Sequence, residues 1–73
     1  MNELKKYRNK KNYSCDQMAK LLGISKTYYW QIEKGTRRVT YDMAIKIANV
    51  FGVMPDDLFY EETKRKYYES LKN

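Results

Sequence analysis

The sequence predicts an all-α domain of five short helices around one small core. Three glycines (Gly23, Gly35, Gly52) and the single proline, Pro55, punctuate stretches whose apolar residues recur at helical spacing. No segment alternates apolar and polar residues for long enough to form a strand. Length sets the scale. At 73 residues the chain makes one domain, and folding hides only about 60% of the surface that the unfolded chain exposes, so the core is small.

Each element follows from local chemistry. Residues 3–11 are rich in lysine and form a short first helix ending at Asn12. Ser14 and Gln17 are spaced as a capping box, which opens a second helix; it is expected to bury Met18, Leu21 and Leu22 and to stop at Gly23. Ser25 caps a third helix that carries Glu33 near its end and Gly35 after it. Thr40 caps a fourth, with Asp42 in its first turn and Ala44, Ile47, Ala48 and Phe51 on one face. Gly52 ends it. Pro55 suits the first turn of a fifth helix, Asp56 and Asp57 suit its positive end, and Leu58 and Phe59 can pack inward. The composition then shifts. Residues 61–73 are strongly charged, with Tyr60, Tyr67 and Leu71 at spacings of seven and four. They are read either as an amphipathic helix or as a frayed tail, since an isolated helix of this length is marginal in water. The expected organisation is a domain over residues 1–60 and an extension over residues 61–73.

Composition excludes several classes of function. One cysteine and no histidine leave no disulfide within the chain, no cysteine-based zinc site and no imidazole base. The paired carboxylates Asp56–Asp57 and Glu61–Glu62 have no nucleophile constellation beside them. No enzyme activity, metal, cofactor or small-molecule ligand is therefore expected. No uninterrupted apolar run exceeds three residues, which argues against a membrane span. The basic N-terminus lacks the apolar stretch of a signal peptide. A cytoplasmic binding module, with no room for a separate sensor domain, is the expected class.

The net charge of +6 is unevenly placed. Residues 1–40 carry ten basic and three acidic side chains, giving +7, and residues 41–73 carry five basic and six acidic ones, giving −1. A basic half on a folded domain suits a polyanion, because phosphate contacts release condensed counterions. It also suits a merely soluble surface, so charge alone does not choose.

The stretch around Gly23 does choose. Ala19 is small, so the next helix can cross close above it. Gly23 can take the positive φ of a sharp interhelical turn. Met18, Leu22, Ile24, Tyr29 and Ile32 are spaced to face one another. Helix, tight glycine turn, helix is the helix-turn-helix arrangement, whose second helix enters the DNA major groove.

In this stretch, and in "YRNKKNYSCDQMAKLLGIS", "QIEKG" and "AIKIANVFGVMPDDLF" around it, the chain resembles the XRE or Cro/repressor-type helix-turn-helix family of bacterial and phage transcription regulators. The resemblance runs from about Leu4 to Phe59. It implies a compact five-helix, lambda-repressor-like domain that binds operator DNA, usually as a two-fold dimer. It also implies a structural ion pair between Arg8 and Glu33. Four positions depart from the family pattern. Cys15 stands where glutamine usually contacts phosphate, Val39 where proline is favoured, Tyr29 where an aliphatic residue is usual, and Asn12 where glycine is common.

On the recognition helix, Ile24, Tyr29 and Ile32 are expected to point inward. Lys26, Trp30 and Lys34 share the opposite face, flanked by Thr27 and Gln31. Lys26, Thr27, Tyr28, Trp30 and Gln31 are expected to approach base edges, which side chains of these kinds read. Lys34, Thr36, Arg37 and Arg38 are expected to meet phosphates, as are Ser14, Cys15 and the N–H groups that open the second helix. Trp30 also suits a protein contact, and Cys15 also suits a small first-turn residue or a redox sensor. Leu58, Phe59, Tyr60, Tyr67 and Leu71 are expected to supply a dimer surface.

The expected function is a sequence-specific double-stranded DNA-binding regulator. It is expected to be a repressor that occupies a palindromic operator as a homodimer and associates with the nucleoid when bound. The alternative is an antitoxin, or a partner-binding regulator of a toxin–antitoxin or mobile-element system, that grips a toxin or an antirepressor through the C-terminal tail.

Overall fold

A computed structural model describes residues 2–61. Four helices, α1 (Leu4–Lys10), α2 (Cys15–Leu22), α3 (Lys26–Lys34) and α4 (Tyr41–Phe51), are followed by a fifth, α5, helical over residues 55–61. The all-α class is as the sequence predicts. Among the described residues no helix is long and apolar enough to cross a membrane.

Side-chain caps set the helix starts. The Ser14 hydroxyl accepts from the Gln17 amide at 3.0 Å and the Gln17 carboxamide accepts from the Ser14 amide at 2.7 Å, completing the capping box. Ser25 and Thr40 cap α3 and α4 by accepting from the Tyr28 and Met43 amides. At α5 the Asp57 carboxylate accepts from the Met54 amide at 2.9 Å, which places Pro55 in the first turn.

The ends share one device. After α2, α3 and α4 a glycine in the left-handed conformation lets the chain fold back. At the first of these, the Ile24 amide donates to the Ala19 carbonyl and the Gly23 amide to that of Lys20. These are the two crossed bonds of a Schellman motif. Asn12, between α1 and α2, takes φ 58°, a conformation asparagine tolerates better than most residues.

The core draws on every helix. Leu4, Met18, Tyr29, Ile32, Ile47 and Leu58 are fully buried, with Ala19, Leu22, Ala44, Ala48, Phe51 and Phe59 around them. Truncating one of the large aliphatic members to alanine costs about 2–5 kcal/mol in such a setting, much of the stability of so small a domain. Tyr7 packs on Phe51 with ring centroids 5.8 Å apart, which docks α1 on α4. Two further contacts close the molecule. The Glu3 amide donates to the Leu58 carbonyl at 2.9 Å, and the Asn2 carboxamide donates to the Ile32 carbonyl at 2.9 Å. The N-terminal segment thus ties α5 and the end of α3 to α1.

Two expectations need correction. Leu21 is not core: it is 57% exposed. The inward direction of α2 is set by Met18, Ala19 and Leu22, and at about 100° per residue Leu21 falls on the flank of that arc. Leu58 and Phe59, expected at a dimer surface, lie in the chain's own core at 1% and 5% exposure. Their apolar area is already used inside the monomer, as their expected inward packing requires. Tyr60 is exposed. Tyr67, Leu71 and the extension over residues 61–73 lie outside the described residues, except for residue 61.

Candidate nucleic-acid interface

The candidate interface is built on the crossing of α2 and α3. Gly23 sets the turn between them, and Ile24 packs partly buried against the core beyond it. Tyr29 and Ile32 anchor the inner face of α3 at 0% and 1% exposure. With that face fixed, helical periodicity puts Lys26, Thr27, Trp30 and Lys34 outward, and all four are exposed. Tyr28 and Gln31, on the borders, are half-buried. Each position follows the orientation expected from spacing.

Beneath α3 an ion pair fixes its pose. Arg8 Nε and Nη2 each donate to a carboxylate oxygen of Glu33 at 2.9 Å, and Nη1 donates to the Tyr13 carbonyl at 2.9 Å. One guanidinium therefore joins α1, the loop before α2 and the C-terminal half of α3. Side-chain exposure is only 13% for Arg8 and 9% for Glu33, so the bidentate geometry is held away from competing water. Hydrogen bonding to Glu33 raises the Arg8 guanidinium above its already high ordinary value. Burial works to raise the Glu33 carboxyl, but the Arg8 hydrogen bonds, with the neighbouring Tyr29 hydroxyl, outweigh it and hold the group below its ordinary value.

Tyr29 is the departure that this pair accommodates. Its ring fills the core, and burial, followed by the Glu33 carboxylate, pushes its hydroxyl well above the ordinary range. The hydroxyl makes no hydrogen bond of standard geometry, so its interaction with Glu33 is electrostatic.

The outer face has an order that spacing does not announce. The Lys34 ammonium lies 4.3 Å from the centroid of the Trp30 ring, and the Arg37 guanidinium lies 4.6 Å from that of Tyr28. The loop after α3 folds back, with the Thr36 amide and hydroxyl both donating to the Gln31 carbonyl, at 3.0 and 3.3 Å. Arg37 Nη1 donates to Gln31 Oε1 at 3.4 Å. The structure therefore brings Tyr28, Gln31 and Arg37 into one cluster and Trp30 and Lys34 into another. Arg38 is exposed beyond them, Ser14 stands apart at the start of α2, and Cys15 next to it borders the groove that Trp30 and Lys34 also line. Cys15 is a half-buried free thiol.

Sequence reasoning did not single out the basic side chains of α1 for this site. Lys5 and Lys6 line a shallow groove between α1 and α3 together with Cys15, Trp30 and Lys34. The lysine density of residues 3–11 was the available signal. Lys5, Lys6 and Lys34 thus share one groove, which Glu3 and Glu33 also line.

Comparison with known proteins agrees with this geometry. A family model described as helix-turn-helix matches residues 4–58. An uncharacterised HTH-type transcriptional regulator of Methanocaldococcus jannaschii is 41% identical over 61 residues, spanning 84% of this chain and 92% of that protein. The HTH-type transcriptional regulator AnsR of Bacillus subtilis is 33% identical over 66 residues, 90% of this chain and 57% of its own. The control protein C.BamHI of Bacillus amyloliquefaciens is 40% identical over 50 residues, 68% of this chain and 62% of its own. The chain thus spans nearly all of the first relative and about three-fifths of the other two. On the matched model, the relatives and the α2–α3 geometry, the chain belongs to the XRE or Cro/repressor-type helix-turn-helix family of DNA-binding transcriptional regulators.

Proposed function

We propose that this protein is a sequence-specific repressor that binds a palindromic operator as a two-fold dimer, with α3 in the major groove. The observation that carries the reading is the division of α3. Its inner face is locked by Tyr29, Ile32 and the Arg8–Glu33 pair, while its outer face presents Lys26, Thr27 and Trp30, with Tyr28 and Gln31 at the borders. A rigid helix with a polar, basic and aromatic outer face suits base-edge readout. Lys34, Thr36, Arg37 and Arg38, with Ser14 and Cys15 at the start of α2, take the role of phosphate contacts that set register. Residues 1–60 form the reading domain, and residues 61–73 extend the end on which Tyr60 is exposed. Dimerisation draws on Tyr60, Tyr67 and Leu71, because Leu58 and Phe59 are already in the core.

Selection from random duplex DNA tests this directly. The expected product is one enriched sequence with two-fold symmetry and half-sites about 34 Å apart, bound with an affinity that falls steeply with salt. Failure to enrich any sequence overturns specific binding. Enrichment of an asymmetric site overturns the dimeric mode. Placed over a promoter, the selected sequence is expected to lower transcription when the protein is present, and increased transcription overturns repression.

A further inference from the structure

Arg37 lies just past the recognition helix in a basic loop, where the simple assignment is a phosphate contact. Its surroundings give it a second task. The left-handed Gly35 turns the chain back along α3, so that Thr36 grips the Gln31 carbonyl through both its amide and its hydroxyl. The next residue reaches the Gln31 side chain. The Arg37 guanidinium lies against the Tyr28 ring, with Cζ 4.6 Å from its centroid, and Nη1 meets Gln31 Oε1 at 3.4 Å. Gln31 is thus held at main chain and side chain by the loop that leaves α3.

The chemistry of this contact is directional. A guanidinium has donors only, so the carboxamide atom facing it is the oxygen. The Gln31 amine is left as the group turned away from Arg37. A glutamine without such a neighbour can read adenine with both ends, accepting from N6 and donating to N7. The oxygen keeps a second lone pair, but it is turned toward Arg37, so the side chain leads with its amine and matches base edges that only accept there, namely guanine O6 and N7 or thymine O4.

We propose that Arg37, held on the Tyr28 ring, is a positioning residue that fixes the Gln31 carboxamide as a hydrogen-bond donor, so that the domain prefers guanine or thymine to adenine where Gln31 reaches the DNA. This rests on the DNA-binding reading above and adds to it the base class that one side chain reads and the residue that sets it. The positioning needs the planar fork and the stacking surface of arginine. Lysine keeps the charge but supplies neither.

Binding-site selection with four forms of the full chain separates the alternatives. The wild type and Gln31→Ala together locate the base pair that Gln31 reads, as the position whose preference collapses in the variant. Arg37→Ala and Arg37→Lys are then compared at that position. The expected result is a preference for guanine or thymine in the wild type that falls about tenfold in both Arg37 variants, with adenine gaining. A side chain that only contacts phosphate would weaken binding evenly across sequences in the alanine variant and leave base preference unchanged in both. Unchanged preference in both variants overturns the proposal, as does a Gln31→Ala selection identical to the wild type. If the wild type enriches no sequence at all, the DNA-binding reading itself has failed, a result distinct from either of these.

Discussion

At the scale of single residues, the Arg8–Glu33 pair determines how α3 is presented. Glu33 has a lower pKa in the folded chain than its ordinary 4.5. The unfolded chain therefore binds more protons as pH falls, and the pair's contribution to stability is full above about pH 4.5 and lost as pH drops through the folded pKa. Glu33→Gln removes that titration. The variant is expected to be less stable than the wild type at about pH 7, and to lose less of its stability between there and about pH 3. Urea midpoints at the two pH values measure this, and parallel losses in both proteins would show that Glu33 does not carry the acid sensitivity. Arg8→Ala is the harsher change. It strands a mostly buried carboxylate and leaves the Tyr13 carbonyl without its donor, which is expected to cost about 3–5 kcal/mol. The inward set Ile24, Tyr29 and Ile32 was legible from spacing together with the family pattern. Leu21 was not, because two adjacent leucines at a helix end satisfy the same loose i, i+3, i+4 pattern, and only the exact arc of the buried face separates them. The Asn2–Ile32 and Glu3–Leu58 bonds left no trace in the sequence either. Each joins residues far apart in the chain and ends on a main-chain carbonyl that every residue possesses; the donor is the Glu3 main-chain amide in one and the Asn2 side-chain carboxamide in the other.

At the scale of elements, boundaries were the most readable feature. Ser14, Ser25 and Thr40 cap helices because a short side-chain oxygen next to the main chain can satisfy an amide that the helix cannot. The stops arise from backbone conformation, which allows a clean test at the turn between α2 and α3. Gly23 has φ 71°, and a Cβ built there meets nothing within 4 Å. Space therefore does not restrict the position, and conformation does. Gly23→Ala is expected to destabilise the domain by about 1–2 kcal/mol, the cost of the left-handed region for an L residue. Gly23→Asn is expected to cost less, as Asn12 already adopts φ 58° in this chain. Thermal denaturation of the two variants ranks them, and equal losses would mean that sterics beyond the backbone govern the turn. What element-level patterns did not supply is the organisation of the outer face of α3. Lys34 on Trp30 is a pairing at i, i+4 that spacing permits, but Arg37 reaches Tyr28 and Gln31 only because the Gly35 turn reverses the chain, and no periodicity extends through a reversal.

At the scale of the whole molecule, the length of α3 bears on how many copies are needed. Its nine residues span about 14 Å at 1.5 Å each, the rise of roughly four base pairs at 3.4 Å. A word of four base pairs recurs about once in every few hundred by chance, too often to mark one operator. Two α3 helices on a two-fold axis double the word without enlarging the domain. The charge distribution is compatible with this arrangement, since the +7 half contains α1 to α3 and the −1 half contains α4, α5 and the C-terminal extension. Self-association through the second half would leave the basic faces of both copies turned to DNA. Salt dependence counts the copies. Each phosphate contact contributes about 0.9 to the slope of log affinity against log salt. If Arg38 meets one phosphate per domain, as proposed above, Arg38→Ala is expected to lower the slope by about 1.8 on the selected site where two domains bind, and by about 0.9 where one does. Sedimentation of the free protein and of the complex gives an independent count. A fall near 0.9 together with one protein copy per complex would rule out the dimer, and specificity would then have to come from contacts that α3 does not make.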